Sequence, residues 1–333
     1  MKAAVVEAPG VLRVRDDVGW DPAPGPYEAV CRVIVGATCT GTDLHVIDGT
    51  FPSAVGYPAI LGHESVGRVI AVGSEVRNLA PGDVVTRVGA RPTPDLGVAW
   101  GGFSEFAVAV DHRAMAADGL PTELWSFHRP QLVVPPDIAP ETAAMFITWR
   151  ETLSYLHRLE APQGARVLIS GSGGNALAFA VHARHLGASS VTVVGSGRWR
   201  EVFESAGAET FIDYRGASRA EQLRSAGPFD CFIDAVGSSD VRADAVACLE
   251  QGAVVGVYGL NEPPPATPAG GSLRWYDGGY EEHETHDEVV RLVRGGILKA
   301  DRWLPPGMVP LDEIGSAYDA LRQRRALKLL ISM

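Results

Sequence analysis

The sequence has few of the features that mark a nucleic-acid-binding or membrane-spanning protein. Its 333 residues include 29 basic and 40 acidic side chains, a net charge of −11, and no cluster of Lys and Arg that could face a phosphate backbone. No apolar run approaches the ~20 residues that a membrane-spanning helix needs. We therefore expect neither a nucleic acid nor a membrane as partner.

Cysteine is scarce and scattered along the chain. The four cysteines show no C-x-x-C spacing and are Cys31, Cys39, Cys231 and Cys248. This pattern predicts neither a disulfide framework nor a four-cysteine structural zinc site. The first residues, MKAAVVEAPG, have no charged segment followed by a long apolar one, which argues against a signal peptide. A reduced protein in the cytoplasm is the expectation.

What the sequence does contain falls into two contrasting parts. Residues 1 to about 135 hold short apolar segments broken by Gly and Pro, and they predict an all-β body with irregular loops. Beyond them, PETAAMFITWRETLSYLHRL predicts a helix over 140–159. Nearly uninterrupted apolar runs such as PFDCFIDAVG then indicate a parallel sheet. The stretch PPPATPAGG, 263–271, is interpreted as a loop. An α/β chain of two domains is predicted.

The clearest motif is GSGGNA, residues 171–176, between a predicted strand and a predicted helix. Gly171, Gly173 and Ala176 fit the pattern G-x-G-x-x-(G/A), and Gly174 belongs to the same loop. The first glycine permits a tight turn, the second lets the backbone approach a pyrophosphate, and the small third residue lets helix and strand pack closely. The motif predicts a dinucleotide cofactor. A glycine-rich turn without a ligand is the alternative.

The end of the next strand indicates which dinucleotide binds. NAD-binding proteins of this type carry an acidic residue there for the ribose 2′-hydroxyl, whereas this chain has VVGSGRWR. Ser196 is followed by Arg198 and Arg200, whose guanidinium groups can pair with a 2′-phosphate. The sequence therefore favours NADP(H) over NAD(H). The alternative is that both arginines only solvate the start of a helix.

Two motifs near the front of the chain extend this interpretation, namely CTGTDLH at 39–45 and GHE at 62–64. Together with GSGGNA and the tail ALKLLISM, they resemble the medium-chain dehydrogenase/reductase superfamily, in its zinc-binding branch of alcohol and sorbitol dehydrogenases. The resemblance covers essentially the whole chain. It implies a GroES-like β-rich catalytic domain over 1–145, completed by 297–333, and a Rossmann domain with a doubly wound parallel sheet over 146–296. It also implies a homodimer or a homotetramer.

The same resemblance implies a zinc site. His63 would be a ligand, with Glu64 among the ligands or directly beside them. The spacing C-T-G-T-D is one residue longer than the family pattern, so either Cys39 or Thr40 falls on the next ligand position. A thiolate suits zinc and a hydroxyl does not, so Cys39 is predicted, with a one-residue bulge in the loop. A buried thiol and a core histidine are the alternatives without metal.

The family's third protein ligand falls near Ile147, a residue that cannot bind a metal. Glu151 lies four residues further on, on the same helical face, and is predicted to replace it. A solvated carboxylate on a helix is the alternative for Glu151.

The resemblance also implies a route for the substrate proton. Thr42 would take the proton from the substrate hydroxyl, His45 would pass it toward solvent, and Asp43 would fix the histidine ligand. Phe51, Trp100 and Trp149 are expected either in the substrate cleft or in the core.

The predicted enzyme is an oxidoreductase that interconverts a secondary alcohol, of polyol, sugar or cyclitol type, and its ketone by hydride transfer. NADP(H) and one catalytic zinc ion are the predicted cofactors, with NAD(H) as the alternative nucleotide. Two alternatives stay open: a zinc-free NADPH-dependent quinone or enone reductase, and a nucleotide-binding sensor without catalysis. In addition, His283 and His286 lie beside the capping box of Thr285 and Glu288 and are expected on the surface, at a helix start.

Overall fold

The computed structural model describes residues 1–262, 272–276 and 278–333. The chain divides into two compact units: the first comprises residues 1–147, 282–291 and 299–333, and the second comprises 148–281 and 292–298. The loop predicted at 263–271 lies outside the described residues.

Strands occur in both units. Their bounds are β1 Ala3–Ala8, β2 Val11–Arg15, β3 Glu28–Ala37, β4 Ala59–Ile60, β5 Ser65–Val72, β6 Val84–Thr86, β7 Gly97–Val98, β8 Phe106–Val110, β9 Arg166–Ser170, β10 Ser190–Gly195, β11 Thr210–Asp213, β12 Phe229–Asp234, β13 Leu249–Val257, β14 Arg274–Tyr276, β15 Val309–Pro310 and β16 Leu330–Ser332.

The α-helices are α1 Thr42–Asp48, α2 His112–Ala117, α3 Pro140–Ala143, α4 Phe146–Leu159, α5 Gly174–His185, α6 Arg200–Ser205, α7 Arg219–Ala226, α8 Ser239–Val246, α9 His286–Arg294 and α10 Ile314–Arg322. Short 3-10 helices lie at Thr122–Leu124, Ser126–His128, Gly197–Trp199, Glu282–Thr285, Ala300–Arg302 and Leu311–Glu313. None of the helices in the described part of the chain is long and apolar enough to cross a membrane.

Three expectations about local structure need correction. The part predicted as all-β contains α1 and α2, which have seven and six residues and are too short to show helical periodicity. The helix predicted over 140–159 is divided into α3 and α4. His286 is buried rather than on the surface, since its ring packs against Phe146 and its Nε2 lies 3.1 Å from the carbonyl oxygen of Val133.

The first unit is built around the ten-residue strand β3. One sheet has the strand order β15-β16-β3-β5-β6, with β8 also paired to β3, and a second sheet has the order β2-β1-β4-β7. Both β5 and β16 run antiparallel to β3. The end of β3 therefore lies at the same edge of the sheet as the starts of β5 and β16.

The second unit is a six-stranded parallel sheet with the order β11-β10-β9-β12-β13-β14. All six strands are parallel, but the order in which they are added reverses between β9 and β12: β10 and β11 lie on one side of β9, and β12 to β14 lie on the other. This is the doubly wound arrangement expected from the sequence. Its central strands β9, β10 and β12 are largely buried, as their continuous apolar sequences indicate. Crevices that bind dinucleotides form at the carboxyl ends of β9 and β12 in such sheets, and GSGGNA directly follows β9.

Candidate active site

Three side chains with metal-ligating atoms meet where the strand ends of the first unit converge. Cys39 follows the end of β3, and His63 and Glu64 precede the start of β5. One ligand atom from each lies within 4.8 Å of the other two, and all three side chains are buried. Thiolate, imidazole and carboxylate are the ligand types that zinc takes in proteins, so this set fits a zinc ion.

Asp43, in α1, holds His63 in place. Its Oδ1 lies 2.9 Å from His63 Nδ1, and its Oδ2 accepts hydrogen bonds of 2.8 Å from the Cys39 backbone N–H and from the Tyr318 hydroxyl. An ionised carboxylate can only accept, so Nδ1 of His63 is the donor, and Nε2 is the ring nitrogen that faces the cluster. Nε2 lies 3.5 Å from Glu64 Oε1, inside the cluster. The histidine is therefore oriented as a metal ligand by its other nitrogen.

Lys328 is a member of this site that sequence reasoning missed. Its Nζ donates to Glu64 Oε1 at 2.5 Å and to the Thr38 carbonyl oxygen at 3.0 Å, and the side chain is buried. The antiparallel pairing of β16 with β3 places it there, because Thr38 follows β3 and Lys328 precedes β16. A charged residue within the apolar tail ALKLLISM was the available signal, since a buried lysine needs a partner.

The electrostatics of the cluster follow from burial and from these neighbours. Burial acts to raise the pKa of Glu64, but the positive charge of Lys328 outweighs burial and lowers that pKa below its usual value. Burial acts to lower the pKa of Lys328, and the charge of Glu64 reverses this effect. Burial acts to lower the pKa of His63, but Asp43 outweighs burial and raises that pKa well above its usual value. Each buried charge is thus paired.

The two residues predicted to carry the substrate proton lie on α1. Thr42 is the first residue of the helix and is half-buried, directly before Asp43. Nδ1 of His45 lies 2.8 Å from the hydroxyl oxygen of Thr50, which is exposed. The helix therefore carries polar side chains from the buried cluster to the surface of the first unit.

A cavity of about 450 Å³ lies in the first unit, and Phe51 and Trp100 form part of its wall, whereas Cys39, His63 and Glu64 do not line it. The indole of Trp100 is 5.3 Å from the ring of His63, centroid to centroid, and the Phe51 ring meets it edge-on at 5.8 Å. Trp149, which was expected either in the substrate cleft or in the core, is fully buried. Trp100 therefore lies beside the metal-ligating cluster, and Phe51 packs against Trp100.

Glu151, the predicted third ligand, lies on α4 in the second unit. It is buried, and its Oε2 accepts a hydrogen bond of 3.0 Å from the Tyr258 hydroxyl. Ile147, at the position of the family's third ligand, is fully buried.

The GSGGNA loop has the conformation that its glycines predicted. Gly171 has φ +120°, a value that side-chain-bearing residues rarely adopt, and α5 begins at Gly174. A Cβ atom on Gly195, at the end of β10, would lie 2.7 Å from the Cβ of Ser172, so only glycine admits this close approach. The hydroxyl of Ser172 accepts a hydrogen bond from the backbone N–H of Ser196 at 3.0 Å. The loop and the end of β10 thus form a cradle of backbone that fits a dinucleotide.

The two arginines after β10 have different surroundings. Arg200 donates to the carbonyl oxygen of Phe211 at 2.7 Å, and its guanidinium lies over the Phe211 ring. Arg198 is exposed in the 3-10 helix Gly197–Trp199. A carboxylate also reaches this place, because Asp213 Oδ2 accepts a hydrogen bond of 3.2 Å from the Gly197 N–H. Asp213 was not predicted from the sequence, because it is the last residue of the neighbouring strand β11 and does not follow β10 in the chain.

Comparison with known proteins agrees with this geometry. Residues 25–119 match the alcohol dehydrogenase GroES-like domain, and residues 173–274 match the zinc-binding dehydrogenase family. The NADP-dependent isopropanol dehydrogenase of Thermoanaerobacter brockii is 30% identical over 308 residues, which cover 86% of this chain and 82% of that protein. A probable zinc-binding alcohol dehydrogenase of Mycobacterium tuberculosis is 28% identical over 344 residues, covering 99% and 87%. The fold matches an alcohol dehydrogenase from Thermus sp. ATN1 with a TM-score of 0.80, at 24% identity, covering 100% and 99% of the two chains.

A GroES-like unit with a thiolate, imidazole and carboxylate cluster, joined in one chain to a Rossmann unit, defines a class of zinc- and nucleotide-dependent oxidoreductases. The chain belongs to the zinc-binding alcohol dehydrogenases of the medium-chain dehydrogenase/reductase superfamily. The fold class and the family predicted from the sequence are confirmed.

Proposed function

We propose that the protein is an NADP(H)-dependent dehydrogenase of secondary alcohols, of polyol, sugar or cyclitol type, that uses one catalytic zinc ion. The observation that carries this proposal is the buried cluster of Cys39, His63 and Glu64, in which Asp43 fixes the histidine. No structural zinc ion is included in the proposal. From the family resemblance we infer a homodimer or homotetramer. From the scattered cysteines we infer the cytoplasm, and from the net charge of −11 and the short apolar runs we infer neither a nucleic acid nor a membrane as partner.

Zinc, when bound, would supply a Lewis acid that lowers the pKa of the substrate hydroxyl. The residues of the chain do the rest. Cys39 and His63 would hold the ion, and Glu64 would be held at its side by Lys328. Thr42 would accept the proton of the substrate hydroxyl on its oxygen and release its own hydroxyl proton, which His45 would pass on toward Thr50 and solvent. The nicotinamide, when bound, would supply the hydride acceptor.

The cavity beside Trp100 is one place in the first unit that could hold part of such a substrate, and Cys39, His63 and Glu64 are not among its lining residues. Its volume is about 450 Å³, and it has polar side chains, among them Arg87 and Gln131, as well as the aromatic wall of Phe51 and Trp100. Apolar walls with a few polar groups are typical of sites that orient a small ligand. A polyol or sugar derivative suits this mixture better than a three-carbon alcohol does.

The direct test of this function is zinc content by ICP-MS, together with turnover of a panel of secondary alcohols and polyols by protein purified without chelators. We expect about one zinc ion per chain and activity that a chelator removes and added zinc restores. If zinc is absent and reconstitution fails, the zinc-free reductase becomes the better hypothesis, and enones and quinones should then be turned over. Turnover of any alcohol with NADP would exclude the non-catalytic sensor.

The role of Glu151 as a further zinc ligand stays a prediction. Its buried carboxylate accepts a hydrogen bond from Tyr258, and glutamine at this position keeps an acceptor for that bond while losing the charge. Zinc content of Glu151→Gln should therefore fall, whereas Tyr258→Phe, which removes the hydroxyl that donates to Glu151 and accepts from Asn175, should keep its metal. Full zinc occupancy in Glu151→Gln would leave Glu151 as a structural residue.

Arg198 is proposed to favour NADP(H) by pairing with the 2′-phosphate, together with Arg200. Arg198→Ala is expected to raise the KM for NADPH about ten-fold or more and to change the KM for NADH little, because NADH has no 2′-phosphate. Steady-state kinetics with both nucleotides measure this difference. Arg224→Ala, on exposed α7, is the matched control for the loss of one positive charge. An equal loss with both nucleotides in Arg198→Ala would contradict the proposed contact.

A further inference from the structure

The ends of β10 and β11 lie side by side in the second unit. Gly195 is the register partner of Asp213 in the parallel ladder, and the backbone N–H of Tyr214 donates to the Gly195 carbonyl oxygen at 3.0 Å. Asp213 is therefore a direct neighbour of the residues that follow β10, although it lies sixteen positions after Gly197 in the sequence.

The carboxylate of Asp213 is fixed in this position by two backbone donors. Its Oδ2 accepts from the Gly197 N–H at 3.2 Å, and its Oδ1 accepts from the Arg215 N–H at 2.9 Å. A Cβ atom on Gly197 would lie 2.5 Å from Oδ2, so the glycine is what lets the carboxylate come so near. A carboxylate has about four acceptor positions, and two backbone bonds leave others for a ligand.

The place that Asp213 occupies is the one where dinucleotide-binding sheets distinguish their ligands. In such sheets an acidic residue after the second strand accepts the ribose 2′-hydroxyl of NAD, and a nearby arginine accommodates the 2′-phosphate of NADP. Here β10 is the second strand and is followed by Ser196 and Gly197, without an acid. The acid comes instead from β11.

We propose that Asp213 reduces the preference of the protein for NADP(H) over NAD(H). Its carboxylate accepts a hydrogen bond from the 2′-hydroxyl of NAD(H) and repels the 2′-phosphate of NADP(H), while Arg198 attracts that phosphate. Arg200 and Arg215 are the other cations nearby; Arg200 bonds to Phe211, and Arg215 Nε bonds to the Tyr214 hydroxyl. The protein therefore accepts both nucleotides, with a preference for NADP(H) smaller than its arginines alone would give. This inference rests on the proposed function, since it concerns the same nucleotide site.

The test is isothermal titration calorimetry of NADP⁺ and NAD⁺ with the whole protein, which reads binding without turnover. Asp213→Asn keeps the size and an acceptor oxygen but removes the charge. It is expected to raise the ratio of the NADP⁺ to the NAD⁺ association constant about ten-fold. Asp213→Ser is a second variant and is also expected to raise this ratio of association constants. Asp230→Asn, which removes a charge paired with Arg166 at the first residue of β9, should leave the ratio unchanged.

The outcomes separate this inference from the function it rests on. A ratio that rises in Asp213→Asn and Asp213→Ser, but not in Asp230→Asn, supports the role of Asp213. If both nucleotides bind and the ratio does not move in either Asp213 variant, the inference is overturned while the dehydrogenase function stands. If the unaltered protein binds neither nucleotide, the proposed function fails and this inference fails with it.

Discussion

Cys39→Ala is expected to lose its bound zinc and to lower kcat for alcohol oxidation about 100-fold or more. Cys39 supplies the thiolate of the cluster, and without it only His63 and Glu64 would remain to hold an ion in the first unit. ICP-MS and steady-state kinetics on the same preparation measure both effects.

A matched control is available in β3, the strand that precedes Cys39. Cys31 is also a buried thiol, on β3, but its Sγ contacts the carbonyl oxygen of Ala29 and it is not part of the cluster. Cys31→Ala should keep its zinc and its activity. If Cys39→Ala retained zinc, the neighbouring Thr40 or another group would have to be the ligand, and our alignment of the extended C-T-G-T-D motif would be wrong.

Lys328→Met is expected to lower the free energy of unfolding by about 3–5 kcal/mol, because it leaves Glu64 as a buried carboxylate without its counter-charge. Methionine has nearly the shape of the lysine chain, so the loss reports charge rather than a cavity. Thermal and urea unfolding of the zinc-free protein measure it without a contribution from the metal.

The double variant Glu64→Gln with Lys328→Met tests whether the ion pair is the cause. Removal of both charges should recover much of the stability that Lys328→Met loses, as is found when a buried ion pair is replaced as a whole. Lys2→Met, which removes an exposed pair with Asp312, should change stability little. A single Lys328→Met variant as stable as the unaltered protein would contradict the buried pair.

The parts of the molecule that could be predicted from sequence are those whose signal is local. The residues around GSGGNA form a strand, a turn and a helix in one continuous stretch, so the order of β9 and α5 could be predicted from them. Asp43 and His63 could be assigned to one site only through the family resemblance, because twenty residues separate them in the chain. Their hydrogen bond depends on how α1 packs against the start of β5.

The residues that could not be predicted come together through strand pairing and helix packing between distant segments. Lys328 meets Glu64 across 264 positions, and Tyr318 meets Asp43 across 275. Asp213 approaches Gly197 because two parallel strands are neighbours, a fact that a single sequence does not encode in its local pattern. His286 was misplaced for a related reason, since its burial depends on Phe146 and Val133.

The strand β16, which pairs with β3, has a consequence for how the protein matures. Cys39, His63 and Glu64 are synthesised early, whereas Lys328 and Tyr318 leave the ribosome nearly three hundred residues later. Until then Glu64 has no lysine beside it and Asp43 has no tyrosine. A nascent chain can close its Rossmann unit first, because that unit is continuous over most of its length. We therefore expect a stable metal centre to form late, with the arrival of β16 rather than with the synthesis of the ligands.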